Sequence, residues 1–146
     1  MSMSGLSSET LHASCVAMEG RGILIYGRSG SGKSDLALRL IDRGALLVSD
    51  DYTFVQRVEG RLLARAPANI EGRIEVRGLG ILSLEHVGDV PVGLYVDLDL
   101  DVVRLPDRRE PVWVAGVQLP VIALNALEPS APVKVEMALR HFGLPA

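Results

Sequence analysis

Residues 27–34 read GRSGSGKS and stand between a short apolar run, Gly22-Ile23-Leu24-Ile25-Tyr26, and a stretch whose apolar residues recur at helical spacing. This pattern, G-x-x-x-x-G-K-S between an apolar run and a helical period, predicts a strand, a glycine loop and a helix in direct succession. Glycines let the backbone curl so that successive N–H groups converge on one point, and the following helix N-terminus adds about half a unit of positive charge there. Gly27, Arg28, Ser29, Gly30, Ser31, Gly32, Lys33 and Ser34 are therefore expected to cradle the phosphates of a nucleoside triphosphate. Lys33 would reach the β- and γ-phosphates and Ser34 would offer its hydroxyl to Mg²⁺. The plain alternative, a flexible turn capped by Ser34, leaves the Lys-Ser pair and both flanking elements unexplained.

The spacing of Leu36, Ala37, Leu40 and Ile41 predicts a helix over 33–43, with Gly44 as its stop. Residues 45–49, ALLVS, read as a second buried strand that delivers Asp50 and Asp51 at its C-terminal end, the edge where open α/β sheets bind ligands. Two adjacent acids on an extended chain cannot face one point, so one is available to a metal or its waters and the other to an incoming nucleophile. The competing reading is an acidic turn that opens the next strand. Further on, residues 52–57 and 61–65 predict a β-hairpin around Val58-Glu59-Gly60. Residues 94–101 alternate, with Asp97, Asp99 and Asp101 on one face, and predict a half-exposed strand whose acids are a solvated surface. Residues 132–141 predict a C-terminal helix with Ser130 as N-cap and Gly143 as stop. Trp113, between Val112 and Val114, is expected to anchor the core or an interface.

A chain of 146 residues, 48% of them hydrophobic, can bury a core of its own, and no linker or repeat divides it. The expected organisation is one domain over 1–146, an α/β P-loop nucleotide-binding domain with a mixed central sheet flanked by helices. The single cysteine, Cys15, has no internal partner, which fits a reducing, cytoplasmic setting. The net charge of -3, with one Trp, three Tyr and two Phe, argues against nucleic acid as the primary partner. No apolar run approaches the ~18 residues that cross a bilayer, so no membrane partner is expected.

With these motifs in place the sequence resembles the catalytic domain of HPr kinase/phosphorylase, a bacterial enzyme that phosphorylates a serine of the phosphocarrier protein HPr and reverses the reaction with inorganic phosphate. The resemblance rests on His12 upstream of GRGILIYGRSGSGKSDLALRLIDRG, on LLVSDD ending in Asp50 and Asp51, and on IEVRGLGIL over residues 74–82. It covers roughly residues 11–82. It implies an ATP- and Mg²⁺-dependent protein serine kinase in which Lys33 and Ser34 keep their phosphate and Mg²⁺ roles and Asp50 stands with them. Glu75 becomes a further Mg²⁺ ligand, Asp51 the proton acceptor for the substrate serine, and His12 and Arg77 active-site residues. Read from the residues alone, His12 is a structural histidine, and Glu75 and Arg77 are the exposed side of an alternating strand.

Two departures stand out. Family members commonly carry an additional N-terminal domain, whereas eleven residues precede His12, so a short form is expected. The family's basic loop of the type PVRPGRN is replaced by Leu124-Asn125-Ala126-Leu127-Glu128-Pro129-Ser130, which holds no arginine. An arginine clamp on a transferring phosphoryl group contributes several kcal/mol, so its loss bears on transfer rate and on reversal. Arg104, Arg108, Arg109 and Arg140, besides Arg77, are the candidates to replace it. Assembly as a homo-oligomer, a hexamer, is implied by the resemblance. The other readings are a nucleotide-binding regulator with little phosphotransfer and a small-molecule kinase with residues 104–110, RLPDRRE, as its lid.

Overall fold

A computed structural model describes residues 7–106 and 109–146. In chain order the elements are β1 (Ser8–Leu11), β2 (Ala13–Met18), β3 (Arg21–Tyr26), α1 (Lys33–Asp42), β4 (Leu46–Ser49), β5 (Thr53–Val58), β6 (Arg61–Arg65), a 3₁₀ turn (Ala68–Ile70), β7 (Arg73–Val76), β8 (Gly80–Ser83), β9 (Val90–Asp97), β10 (Val112–Val114), β11 (Val117–Leu119), β12 (Val121–Ala123) and α2 (Ala131–Phe142). Eight strands join one mixed sheet in the order β1-β5-β6-β9-β3-β2-β4, with β12 also beside β9. The central β3 and β9 run parallel and both are buried, which is why their sequences read as apolar runs rather than as alternation.

Two cores lie on opposite faces of this sheet. On one, Leu36, Ala37 and Leu40 of α1 and Val135, Ala138 and Leu139 of α2 pack on Ile23, Ile25, Leu94 and Val96. On the other, Cys15, Leu24, Val48 and Tyr95 meet Val55, Leu62 and Ala64 from the curled β5–β6 limb and Val114, Val117 and Leu119 of the β10–β11 hairpin. Both helices thus serve one face, and β-structure covers the other. Each fully buried aliphatic side chain contributes about 1.5–3 kcal/mol, so the double core fixes the strand ends that carry the site.

The strand, loop and helix around residues 22–43 and the β5–β6 hairpin form where the sequence pattern puts them, and Gly44, at φ 111°, ends α1. One expectation is corrected outright and one in part. The strand expected over 94–101 is β9, which ends at Asp97 and is buried on both faces through Val96, because β3 and β12 flank it within the sheet. Asp99 and Asp101 lie beyond it. Of the two roles expected of Trp113, core or interface anchor, only the core role is excluded: the ring is 66% exposed, since its neighbours Val112 and Val114 turn the opposite way in the small β10–β11 hairpin. Ser130 stands at the N-cap of α2 and Gly143 at its C-cap, as expected; the Ser130 side chain makes no cap bond, and Pro132 in the first turn helps to begin the helix.

Candidate active site

The site gathers at one end of the parallel pair. β3 runs into the glycine loop, and Gly30 and Gly32 take φ values of 83° and 99°, a left-handed backbone that side-chain-bearing residues resist. Gly32 also stands at the N-cap of α1 and brings no capping side chain, so the first-turn N–H groups of α1 remain for another acceptor. The Ser31 hydroxyl is buried without a hydrogen-bond partner among the described residues. Lys33 is 5% exposed, and its Nζ donates to the carbonyls of Gly27 at 2.8 Å and Arg28 at 3.2 Å. An ammonium group held in a bowl of backbone amides, beside an orphan hydroxyl, suits an anionic ligand.

Asp50, at the end of β4, is 9% exposed and joins three elements. Its Oδ1 accepts from Ser34 Oγ at 2.6 Å and Ser14 Oγ at 3.3 Å, and its Oδ2 from the Glu75 N–H at 3.1 Å. Hydroxyl and carboxylate oxygens together are the donor type that Mg²⁺ prefers.

Asp51 turns the other way. Its φ of 67° is an uncommon value for an aspartate, and its N–H donates to Ser14 Oγ at 2.9 Å. The carboxylate is thereby released toward solvent, where Oδ1 meets His12 Nε2 at 2.9 Å, and the His12 ring stacks on Tyr52 with centroids 4.8 Å apart. The adjacent acids are divided, one to the P-loop serine and one to the open face, but by a left-handed turn at Asp51 beyond the end of β4 rather than by the alternation of an extended strand.

His12, Asp51, Asp50 and Ser34 are thus connected through Ser14 in a short network, and Lys33, next to Ser34 in the chain, is turned instead to the Gly27 and Arg28 carbonyls. Glu75 reaches it by its backbone N–H, while its side chain, on β7, is exposed. Arg77 lies exposed in the turn between β7 and β8 and makes no hydrogen bond or ion pair among the described residues. Of the other arginines, Arg140 pairs with Glu19, Arg109 lies over the Phe142 ring, and Arg108 is outside the described residues. Residues 124–130, without arginine, do approach the loop: a Cβ on Gly32 would stand 3.0 Å from Ala126 Cβ, and Arg39 donates to the carbonyls of Ala126 and Glu128.

Two residues that support the site were not found from sequence. Ser14, fully buried on β2, is one residue of an apolar strand. Asp99, read as a solvated acid, accepts the Arg28 N–H at 3.1 and 3.2 Å and so ties the start of the glycine loop to the end of β9. A polar residue inside the buried β2 was the one available hint for Ser14; nothing local distinguishes Asp99 from Asp97 or Asp101.

Comparison with known proteins bears on the family and the fold. The family described as HPr Serine kinase C-terminal domain matches residues 5–109. HPr kinase/phosphorylase of Clostridium beijerinckii is 49% identical over 80 residues, 54% of this chain and 26% of that protein. The protein of the same name from Caldicellulosiruptor bescii is 34% identical over 128 residues, 79% of this chain and 41% of that protein. The chain therefore spans from about a quarter to two fifths of the length of these relatives. The structure of the HPr(Ser) kinase/phosphatase from Coxiella burnetii superposes with a TM-score of 0.78 at 27% identity, covering 90% of this chain and 88% of that one. With the family match over residues 5–109 and the structural match in agreement, the chain belongs to the HPr serine kinase C-terminal domain family.

Proposed function

We propose that this chain is an ATP- and Mg²⁺-dependent kinase that phosphorylates a serine of HPr, and that the same site runs the reaction backward with inorganic phosphate. The observation that carries the reading is the placement of Asp51: a carboxylate turned out of the strand end, braced by His12 at 2.9 Å, next to the aspartate that holds the P-loop serine. A module that only bound nucleotide would have no use for an acceptor there.

The glycine-loop amides and the first turn of α1 hold the triphosphate, and Lys33 exchanges its two carbonyl partners for phosphate oxygens. Ser34 and Asp50, with Glu75, would hold Mg²⁺, which offsets charge on the phosphates. Asp51 accepts the proton of the serine hydroxyl as its oxygen bonds to the γ-phosphorus and the bond to ADP breaks. His12 holds that carboxylate in place. In the reverse direction an oxygen of inorganic phosphate bonds to the seryl phosphorus, giving pyrophosphate, as the bond to the serine oxygen breaks and the protonated Asp51 gives that oxygen its proton. Arg77 and Glu75 sit on the β7–β8 hairpin beside Asp50, from which Arg77 would meet the substrate side. We read the chain as one domain in the cytoplasm and as a homo-oligomer, a hexamer by family likeness; the exposed Leu79 and Ile81 of that hairpin support self-association.

A second reading is a nucleotide-binding regulator. The observation in its favour is the 124–130 segment, which lies against Gly32 without an arginine to bring. Incubation with labelled ATP, Mg²⁺ and HPr separates the two. Serine phosphorylation that is lost in Lys33→Ala, and slowed by about 10²–10⁴-fold in Asp51→Asn, supports the kinase; tight ATP binding without transfer by the unaltered chain supports the regulator.

A further inference from the structure

On the outer face of the β1–β5–β6 limb lies a cavity of about 350 Å³. Thr10, Phe54 and Arg65 line it as a row across three strands, Thr10 facing Phe54 and Phe54 facing Arg65 in register, and Pro67, Ala68 and Glu71 close it from the following segment. The same register, extended by two residues, brings His12 opposite Tyr52, where the two rings stack. His12 in turn holds Asp51. Cavity and acceptor carboxylate therefore share one sheet face, and the step from the Thr10–Phe54 pair to the His12–Tyr52 pair is about 7 Å, two residues of strand.

We propose that this cavity receives an apolar side chain of the protein substrate, two or three positions from the serine that Asp51 deprotonates. The inference rests on the kinase reading. An extended substrate chain advances about 3.3–3.6 Å per residue, so a residue at that separation reaches the cavity while the serine hydroxyl is at Asp51. The charges in the lining are already engaged: Arg65 pairs with Asp89 at 3.1 Å and covers the Phe54 ring at 4.6 Å, and Glu71 faces His86 at 3.8 Å. What remains to an incoming side chain is the Pro67 ring and the Ala68 methyl, beside the part of Phe54 that Arg65 leaves uncovered. The space exceeds that of one large aliphatic side chain, and desolvating it against these groups favours binding.

Ala68→Phe and Thr10→Phe fill the cavity from its two sides at exposed positions. The full chain is assayed with HPr as phosphoacceptor, together with HPr variants in which each apolar residue within three positions of the modified serine is replaced by alanine. The proposal expects both cavity variants to raise KM for HPr by about tenfold, leaving kcat and KM for ATP unchanged. One HPr alanine variant should raise KM for the unaltered enzyme and have little further effect on Ala68→Phe. An unchanged KM for HPr in both cavity variants overturns the proposal alone, as does a rise in KM for ATP, which would assign the cavity to the nucleotide. Absence of transfer to HPr by the unaltered chain overturns the kinase reading and this inference together.

Discussion

Ser34 Oγ donates to Asp50 Oδ1 at 2.6 Å and so joins the first turn of α1 to the end of β4. The same carboxylate accepts from Ser14 and from the Glu75 N–H, so it ties β2 and β7 to the glycine-loop end of α1. Replacing Asp50 by alanine leaves donors unpaired in a nearly dry environment, at about 1–3 kcal/mol each. Asp50→Ala is expected to lose both transfer activity and several degrees of Tm. Asp50→Asn keeps most of the stability and loses about 10²-fold or more in kcat, as the charge is removed. Thermal melts beside kinetic assays test this; equal Tm values for the two variants would contradict it.

Gly32 is constrained twice over. Its φ of 99° disfavours any side chain, and a Cβ there would stand 3.0 Å from Ala126 Cβ. Gly32→Ala should cost about 1–2 kcal/mol from the backbone alone, and displacement of the 124–130 segment should weaken ATP binding as well. Denaturant titration and nucleotide titration of the same variant check both effects.

Glu136 of α2 accepts from Arg43 at the end of α1, through Oε2 at 2.6 Å and Oε1 at 3.1 Å. The Arg43 guanidinium holds the Glu136 carboxyl below its ordinary value of 4.5. In the window between the lowered native value and the unfolded one, the unfolded chain binds the proton and the native chain does not. The stabilisation is therefore complete above about pH 4.5 and is lost as the pH falls through the native value. Urea unfolding of the unaltered chain and of Glu136→Gln should show a stability gap at neutral pH that closes toward acid. A gap independent of pH would rule out this linkage.

Cys15 is fully buried between β3 and β4, and burial pushes its thiol up to about 12. A neutral, enclosed thiol is a poor nucleophile. Aromatic disulfide reagents at about pH 8 should leave the folded chain unmodified and label it once it is unfolded in guanidinium chloride. Rapid labelling of the native protein would refute this burial.

The glycine loop, its flanking strand and helix, and the placement of Asp50 and Asp51 at the end of β4 were determined by sequence alone, because each depends on neighbours a few residues away: glycines that permit positive φ, and apolar spacing that selects strand or helix. How the two acids divide was not, since a left-handed turn at Asp51, φ 67°, separates them. The roles read for His12 and Glu75 came from family resemblance, since a single histidine or a strand glutamate has no local signature. What only tertiary structure decided lies in contacts between distant segments. Ser14 reaches Asp50 across 36 residues, His12 reaches Asp51 across 39, and Asp99 reaches the Arg28 amide across 71. The gathering of both helices on one sheet face, the exposure of Trp113 and the cavity beside His12 follow from how the strands pair and curl. That is settled by burial summed over two cores, a quantity no local stretch of residues contains.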